Sequence, residues 1–186
     1  QRSAVLIYQN LGYPLGRLDR FEEADAMYER AEQLAIQFGM HELVVQAGYN
    51  RAYLFFLRGL YSKALQSFAR VRAHFRESGS QLHFGLCDLD EAEIYLQLNI
   101  ASDASTLARR ASEHFKRIGM VYEEAKALAY LGVALMQMNR LTEALETFHL
   151  SQQALTSERN DYWIAVLDLY RADVYLVLQR YWEAHS

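Results

Sequence analysis

At 186 residues, with 52% apolar and 23% charged side chains, the chain is long enough for one domain with a sizeable core and too apolar for a disordered segment. A formal charge of −4 lacks the basic surface that phosphate binding requires, so nucleic acid is not an expected partner. One proline and nine glycines speak against a turn-rich sheet protein, and a single cysteine, Cys87, excludes an internal disulfide framework and fits a reducing, cytoplasmic compartment.

The pattern of small and apolar residues organises the chain. Ala24, Ala64, Ala104, Ala144 and Ala184 lie forty residues apart, and the same step joins Gly12, Ala52, Ala92, Gly132 and Ala172. Within each period the apolar residues recur at spacings of three and four, as in Leu54, Leu57, Leu60, Leu65, Phe68 and Val71, so each period is a pair of helices. The expected repeats run 1–39, 40–79, 80–119, 120–159 and 160–186, the last of them truncated, within a single array.

In chain order, the first helix covers 3–17; Pro14, with no amide donor, kinks it or marks its start. The second covers 21–38 and ends at Gly39, a residue suited to the left-handed turn; Gly79 and Gly119 repeat it, and the register breaks at Arg159. Later first helices fall at 41–58, 82–98, 121–138 and 161–178, and later second helices at 61–77, 101–118 and 141–157. Residues 181–186 open a tenth helix. The third period is thinner, with Ala101 and Ala108 where bulky residues are expected.

Leu11-Gly12, Leu15, Phe21, Ala24, Tyr28 and Ala31 in the first period resemble the tetratricopeptide (TPR) family. Ala52, Phe55, Gly59, Tyr61, Ala64 and Phe68 in the second resemble it too, as do Leu131-Gly132, Leu135, Leu141, Ala144 and Phe148 in the fourth. In the fifth, Ala172, Tyr175, Tyr181 and Ala184 continue it. The resemblance implies an all-α, right-handed superhelical solenoid of antiparallel helix pairs. The forty-residue period, longer than the common ~34, and the stretches around Cys87–Leu96 and Gly119–Leu128 resemble the repeats of bacterial CHAT-associated TPR proteins. In those relatives a caspase-like peptidase follows the repeats, so any chemistry would lie outside these residues.

The family also implies where a partner sits, because its first helices line a concave groove. Beside the small first-helix residues lie Asn10, Tyr13, Asn50, Tyr53, Asp90, Glu93 and Tyr130. An asparagine amide, donor and acceptor in one plane, satisfies an extended peptide backbone without reading its side chains, and tyrosine adds flat amphipathic surface. Two readings stand for these residues: a peptide groove, or bonds and packing between helices. Asp88, Asp90, Glu91 and Glu93 form an acidic cluster with no Lys or Arg on the same helix, so either a basic partner segment or solvent faces them. The basic clamp that chaperone-binding TPR domains use on acidic tails is not seen.

Arg70, Arg72, Arg76, Arg109, Arg110, Lys116 and Arg117 crowd the later turns of second helices and are read as solubilising. Cys87 sits at a packing position with no exposing loop, and the histidines show no metal-ligand spacing; His41 and His83 are expected exposed at helix starts. No catalytic residue, metal or cofactor is expected. No apolar run of about eighteen residues is present, so no membrane span is expected. The chain opens at Gln1 and stops at Ser186, as a piece of something longer does. The reading is a non-catalytic protein- or peptide-binding scaffold, the sensor or adaptor part of a longer bacterial-type protein. The alternatives are a small-molecule-sensing regulatory domain, with an aromatic pocket near Tyr53, Tyr130 and Met136, and an architectural module that self-associates through its truncated end.

Overall fold

A computed structural model describes residues 1–77 and 80–185, with side chains to Gln179. The expectations for Gly79, Tyr181 and Ala184 therefore lie outside the described residues or side chains. Among the described residues all regular structure is helical: α1 (Arg2–Arg17), α2 (Phe21–Gln37), α3 (His41–Leu57), α4 (Tyr61–Glu77), α5 (Gln81–Gln97), α6 (Ala101–Ile118), α7 (Val121–Gln137), α8 (Leu141–Ser157) and α9 (Asp161–His185). Pro14 lies inside α1, which neither starts there nor ends there. The cost is confined because Pro14 sits in the last turn and its own carbonyl still accepts from the Leu18 amide.

The turns explain the regularity. Left-handed residues recur at multiples of twenty positions, at Asp19, Gly39, Gly59, Asn99, Gly119, Asn139 and Arg159, all with φ between 53° and 73°. After each of them the next amide reaches back five residues in the Schellman pattern, as Arg20 N–H does to Leu15 O, Met40 to Ala35, Leu60 to Phe55, Ile100 to Tyr95 and Asn160 to Leu155, at 2.8 to 3.1 Å. The register does not break at Arg159 as expected: arginine takes the left-handed conformation there, because the backbone bonds of the motif need no glycine. α9 departs from the expected stop near residue 178 and continues to His185, past Gln179, where the twenty-residue step would place the next turn.

Contacts divide the chain into two compact units, Gln1–Cys87 and Asp88–Ser186. In the first, Ala24, Tyr28 and Leu54 form a core with Leu15 and Phe21, and Val5, Ala31 and Ala35 form another with Tyr8, Leu34 and Leu43. A Cβ on Gly12 would stand 2.5 Å from the Tyr28 ring, so the small residue is what lets α2 lie against α1. The second unit repeats the device: a Cβ on Gly132 would meet the fully buried Phe148 ring at 2.4 Å. Phe148 in turn stacks on Tyr170 at 5.8 Å. Ala108, expected to thin α6, is fully buried, as is Phe115 at the same helix's end.

Candidate functional site

In the first unit, α1 and α3 are neighbouring first helices in direct contact. Gln9, itself buried, fixes their register by donating its amide to the Leu43 carbonyl at 3.0 Å. Beside Gln9, α1 presents Asn10 to solvent and, one turn on, Tyr13 with 58% of its surface exposed. On α3 the half-buried Asn50 accepts a hydrogen bond from the Gln46 amide at 3.3 Å, which orients its carboxamide. Tyr53, also half-buried, packs its ring 5.7 Å from Phe56, and Phe56 meets Tyr61 at 6.1 Å. Two asparagine amides and the rings of Tyr13, Tyr53 and Phe56 thus share the first helices of this unit. Gln46 and Phe56 were missed in the sequence, although their spacings of four and three from Asn50 and Tyr53 are helical-face spacings.

The remaining predicted residues lie in the second unit and are differently placed. Asp90 and Tyr130 are buried, at 4% and 8% exposure. Tyr130 is held edge-on to Trp163 at 6.1 Å, with the Lys126 ammonium 5.2 Å above its ring. The same Lys126 pairs with Glu93 at 3.7 Å. Asp88, fully buried, accepts hydrogen bonds from Arg110 Nε and Nη2, at 2.5 and 2.6 Å. These hydrogen bonds hold the Arg110 pKa above its ordinary value against the lowering effect of burial. The acidic cluster is therefore not unneutralised as expected: its cations come from α6 and α7, out of reach of a same-helix count. Arg110 likewise is not merely a solubilising residue.

A concavity of about 660 Å³ opens elsewhere in the first unit, lined by His41, Leu43, Val45, His74, Phe75 and His83 among others. His83 is not exposed as expected. It stacks on Phe75 at 4.7 Å, meets the Tyr49 edge at 6.1 Å, and bonds Ser80 Oγ through Nδ1 at 2.9 Å. Burial pushes its pKa down, favouring the neutral ring. Cys87 is fully buried. Among the described residues no three His, Cys, Asp or Glu side chains gather as a metal site, and no helix is long and apolar enough to cross a membrane.

No family model and no curated protein matches the chain. Solved structures do. A signal-transduction ATPase with numerous domains (STAND) from Pyrococcus horikoshii, which has a tetratricopeptide repeat sensor, matches with TM-score 0.78 and 17% identity over 92% of this chain and 27% of its own. RapI in its apo form matches with TM-score 0.79 and 15% identity, over 90% of this chain and 61% of its own. A putative kinesin light chain with TPR-like repeats from Podospora anserina matches at TM-score 0.75 and 14% identity, over 99% of this chain and 91% of its own. The fold is that of TPR-like repeat proteins. The chain spans 27% and 61% of the length of the first two.

Proposed function

We propose that the chain is a protein- or peptide-binding TPR module, the sensor or adaptor part of a longer, cytoplasmic, bacterial-type protein, and that an extended segment runs along α1 and α3. The observation that carries this reading is the pair of asparagine–tyrosine sets on adjoining first helices: Asn10 and Tyr13 exposed, Asn50 and Tyr53 half-buried and oriented by Gln46 and Phe56. Asparagine amides there would bond the main chain of the segment and the tyrosines would cover its side chains. A Rap protein of like fold, at 14% identity and TM-score 0.76, is known complexed with competence and sporulation factor, and the STAND protein carries its repeats as a sensor, which supports the same use here. The likeness of the repeats to those of CHAT-associated proteins supports placing them beside a separate effector. Asp90, Glu93 and Tyr130 serve the second unit's own architecture in this reading. The test is a randomised peptide library panned against the chain. Enriched peptides are expected to lose about tenfold or more in affinity, roughly 1.4 kcal/mol, for Asn50→Ala/Tyr53→Ala with helicity retained. Equal binding by that variant, or no enrichment, overturns the groove.

A small-molecule sensor is the second reading, favoured by the 660 Å³ concavity, whose volume and mixed apolar and histidine lining suit a compact ligand. A compound that raises the melting temperature of the native chain and of Asn50→Ala/Tyr53→Ala, but not of the cavity-filling Val45→Trp, supports it. A compound whose effect survives Val45→Trp counts against it.

A further inference from the structure

Counted by the forty-residue register, the third repeat holds an ion pair of which the second repeat keeps only half. Arg110 on α6 bonds the fully buried Asp88 of α5 through Nε and Nη2. Forty residues earlier, Arg70 of α4 stands at the position of Arg110 and His74 at that of His114, while Gly48 of α3 takes the place of Asp88 and Arg51 that of Glu91. In the fourth repeat both members of the pair change together, to Leu128 and Leu150, and the first repeat has Tyr8 with Arg30. Of these four repeats, the second alone sets its arginine position against a glycine.

A concavity of about 340 Å³ opens there between α2, α3 and α4, lined by Glu32, Gly48, Arg51, Ser67, Arg70 and His74 among others. A Cβ on Gly48 would meet only Val71 Cγ1, at 3.1 Å, so the backbone leaves room for a carboxylate at that position. Of the charged groups on the wall, Glu32 is taken up by Arg51 at 3.3 Å, and Arg51 also holds Asp25 at 2.8 Å. Arg70 is exposed and has no hydrogen-bond or ion-pair partner among the described residues. Ser67 is only 7% exposed, and its hydroxyl has no partner among the described residues either. Thr147, at the same position of the fourth repeat, instead donates to the Glu143 carbonyl at 2.7 Å. Ser67 and Arg70 stand three residues apart on one face of α4, so a buried hydroxyl and a guanidinium fork without acceptors line the same concavity.

We propose that this concavity is a carboxylate-binding site, in which Arg70 and Ser67 hold from outside the chain the group that Asp88 supplies to Arg110 from within it. A carboxylate is the occupant because that is the group the register pairs with this arginine, in the two-nitrogen geometry that suits it. Glu32 on the wall opposes the second negative charge that a phosphate would bring. Gly48 lies about 160° around α3 from Asn50, so the site is separate from the proposed groove and does not depend on it. The Arg70 Nε–H resonance, assigned by its loss in Arg70→Met, reads the site in the whole chain. Two carboxylate probes are titrated, succinate and an acetylated, amidated alanine pentapeptide with a central aspartate; the same peptide with a central asparagine is the control. At least one carboxylate probe is expected to move the resonance saturably, and to bind about tenfold more weakly to Ser67→Ala. Saturation by the peptide alone assigns the site to an acidic side chain of a partner, by succinate alone to a free small acid, and by both to either source. Gly48→Asp, with helicity retained, is expected to shift the resonance with no probe present and to abolish the response to both. No movement with either carboxylate, equal movement with the asparagine peptide, unchanged affinity in Ser67→Ala, or a folded Gly48→Asp that binds as wild type does overturns the proposal.

Discussion

Gly132 shows how little room a single position leaves. An added methyl would stand 2.4 Å from the Phe148 ring, which is fully buried and stacked on Tyr170, so the ring cannot swing aside without opening that stack. Gly132→Ala is expected to lower unfolding free energy by about 1–3 kcal/mol in urea titration. Gly48→Ala, whose methyl meets only Val71 Cγ1 at 3.1 Å, is expected to be near neutral. Charge is as position-dependent as volume. Asp88 is buried while the Arg110 side chain keeps 48% of its surface, so removing the arginine takes a charged partner from a buried carboxylate, whereas removing the carboxylate returns an arginine to water. Arg110→Met is therefore expected to cost more than Asp88→Asn, by about 2 kcal/mol, in the same titration. The forty-residue recurrence of alanine and glycine made the close-packed positions legible in the sequence. The partners of Asp88 and Glu93 were not, because Arg110 and Lys126 approach from other helices and share no helical spacing with them.

Titration follows the same packing. His83, whose pKa burial lowers, binds its proton later in the folded chain than in the unfolded one. Its contribution is present above the unfolded value of about 6.5 and is lost as pH falls through and below it. The melting temperature is expected to drop between pH 7.5 and 5, and less steeply in His83→Gln; parallel profiles would show that His83 is not the group responsible. On the alkaline side Tyr28, pushed up to about 12 by burial and then by Tyr13, stays neutral in the fold after the unfolded chain ionises, so stability declines above about pH 10.

Among the elements, the turns are the regular feature and the helices follow from them. Seven left-handed residues, twenty apart except for the forty between Gly59 and Asn99, punctuate helices of sixteen to eighteen residues in α1 to α8. Only some were visible in the sequence: Gly39 and Gly119 announce themselves, whereas Asp19, Asn99, Asn139 and Arg159 do the same work with side chains that read as ordinary polar residues. Arg159 carries a Cβ in a conformation that costs it about 1 kcal/mol relative to glycine. Arg159→Gly is expected to raise stability by roughly that amount, and Gly59→Ala to lower it similarly, with thermal melts as the check. Pro14 misled in the opposite direction, because its place in the final turn of α1 spares the interior of the helix.

At the scale of the whole molecule, the proposed groove occupies the first helices of one unit alone. Fold class was readable from the repeat because every period carries the same small-residue marks. Which groove positions face out was not, since Asn50 and Asp90 hold equivalent places and one is half exposed while the other is buried.

The Schellman turns bear on how the chain meets a protease. Each closes with main-chain amides donating to main-chain carbonyls, so the tips at residues 18–20, 38–40, 98–100 and 138–140 are tied down without any help from side chains. Connectors are ordinarily where nicking begins. Here the amides of Arg20, Met40, Ile100 and Arg140 should exchange their hydrogens for deuterium about as slowly as the helix interiors they join. Limited digestion should accordingly leave these four tips uncut.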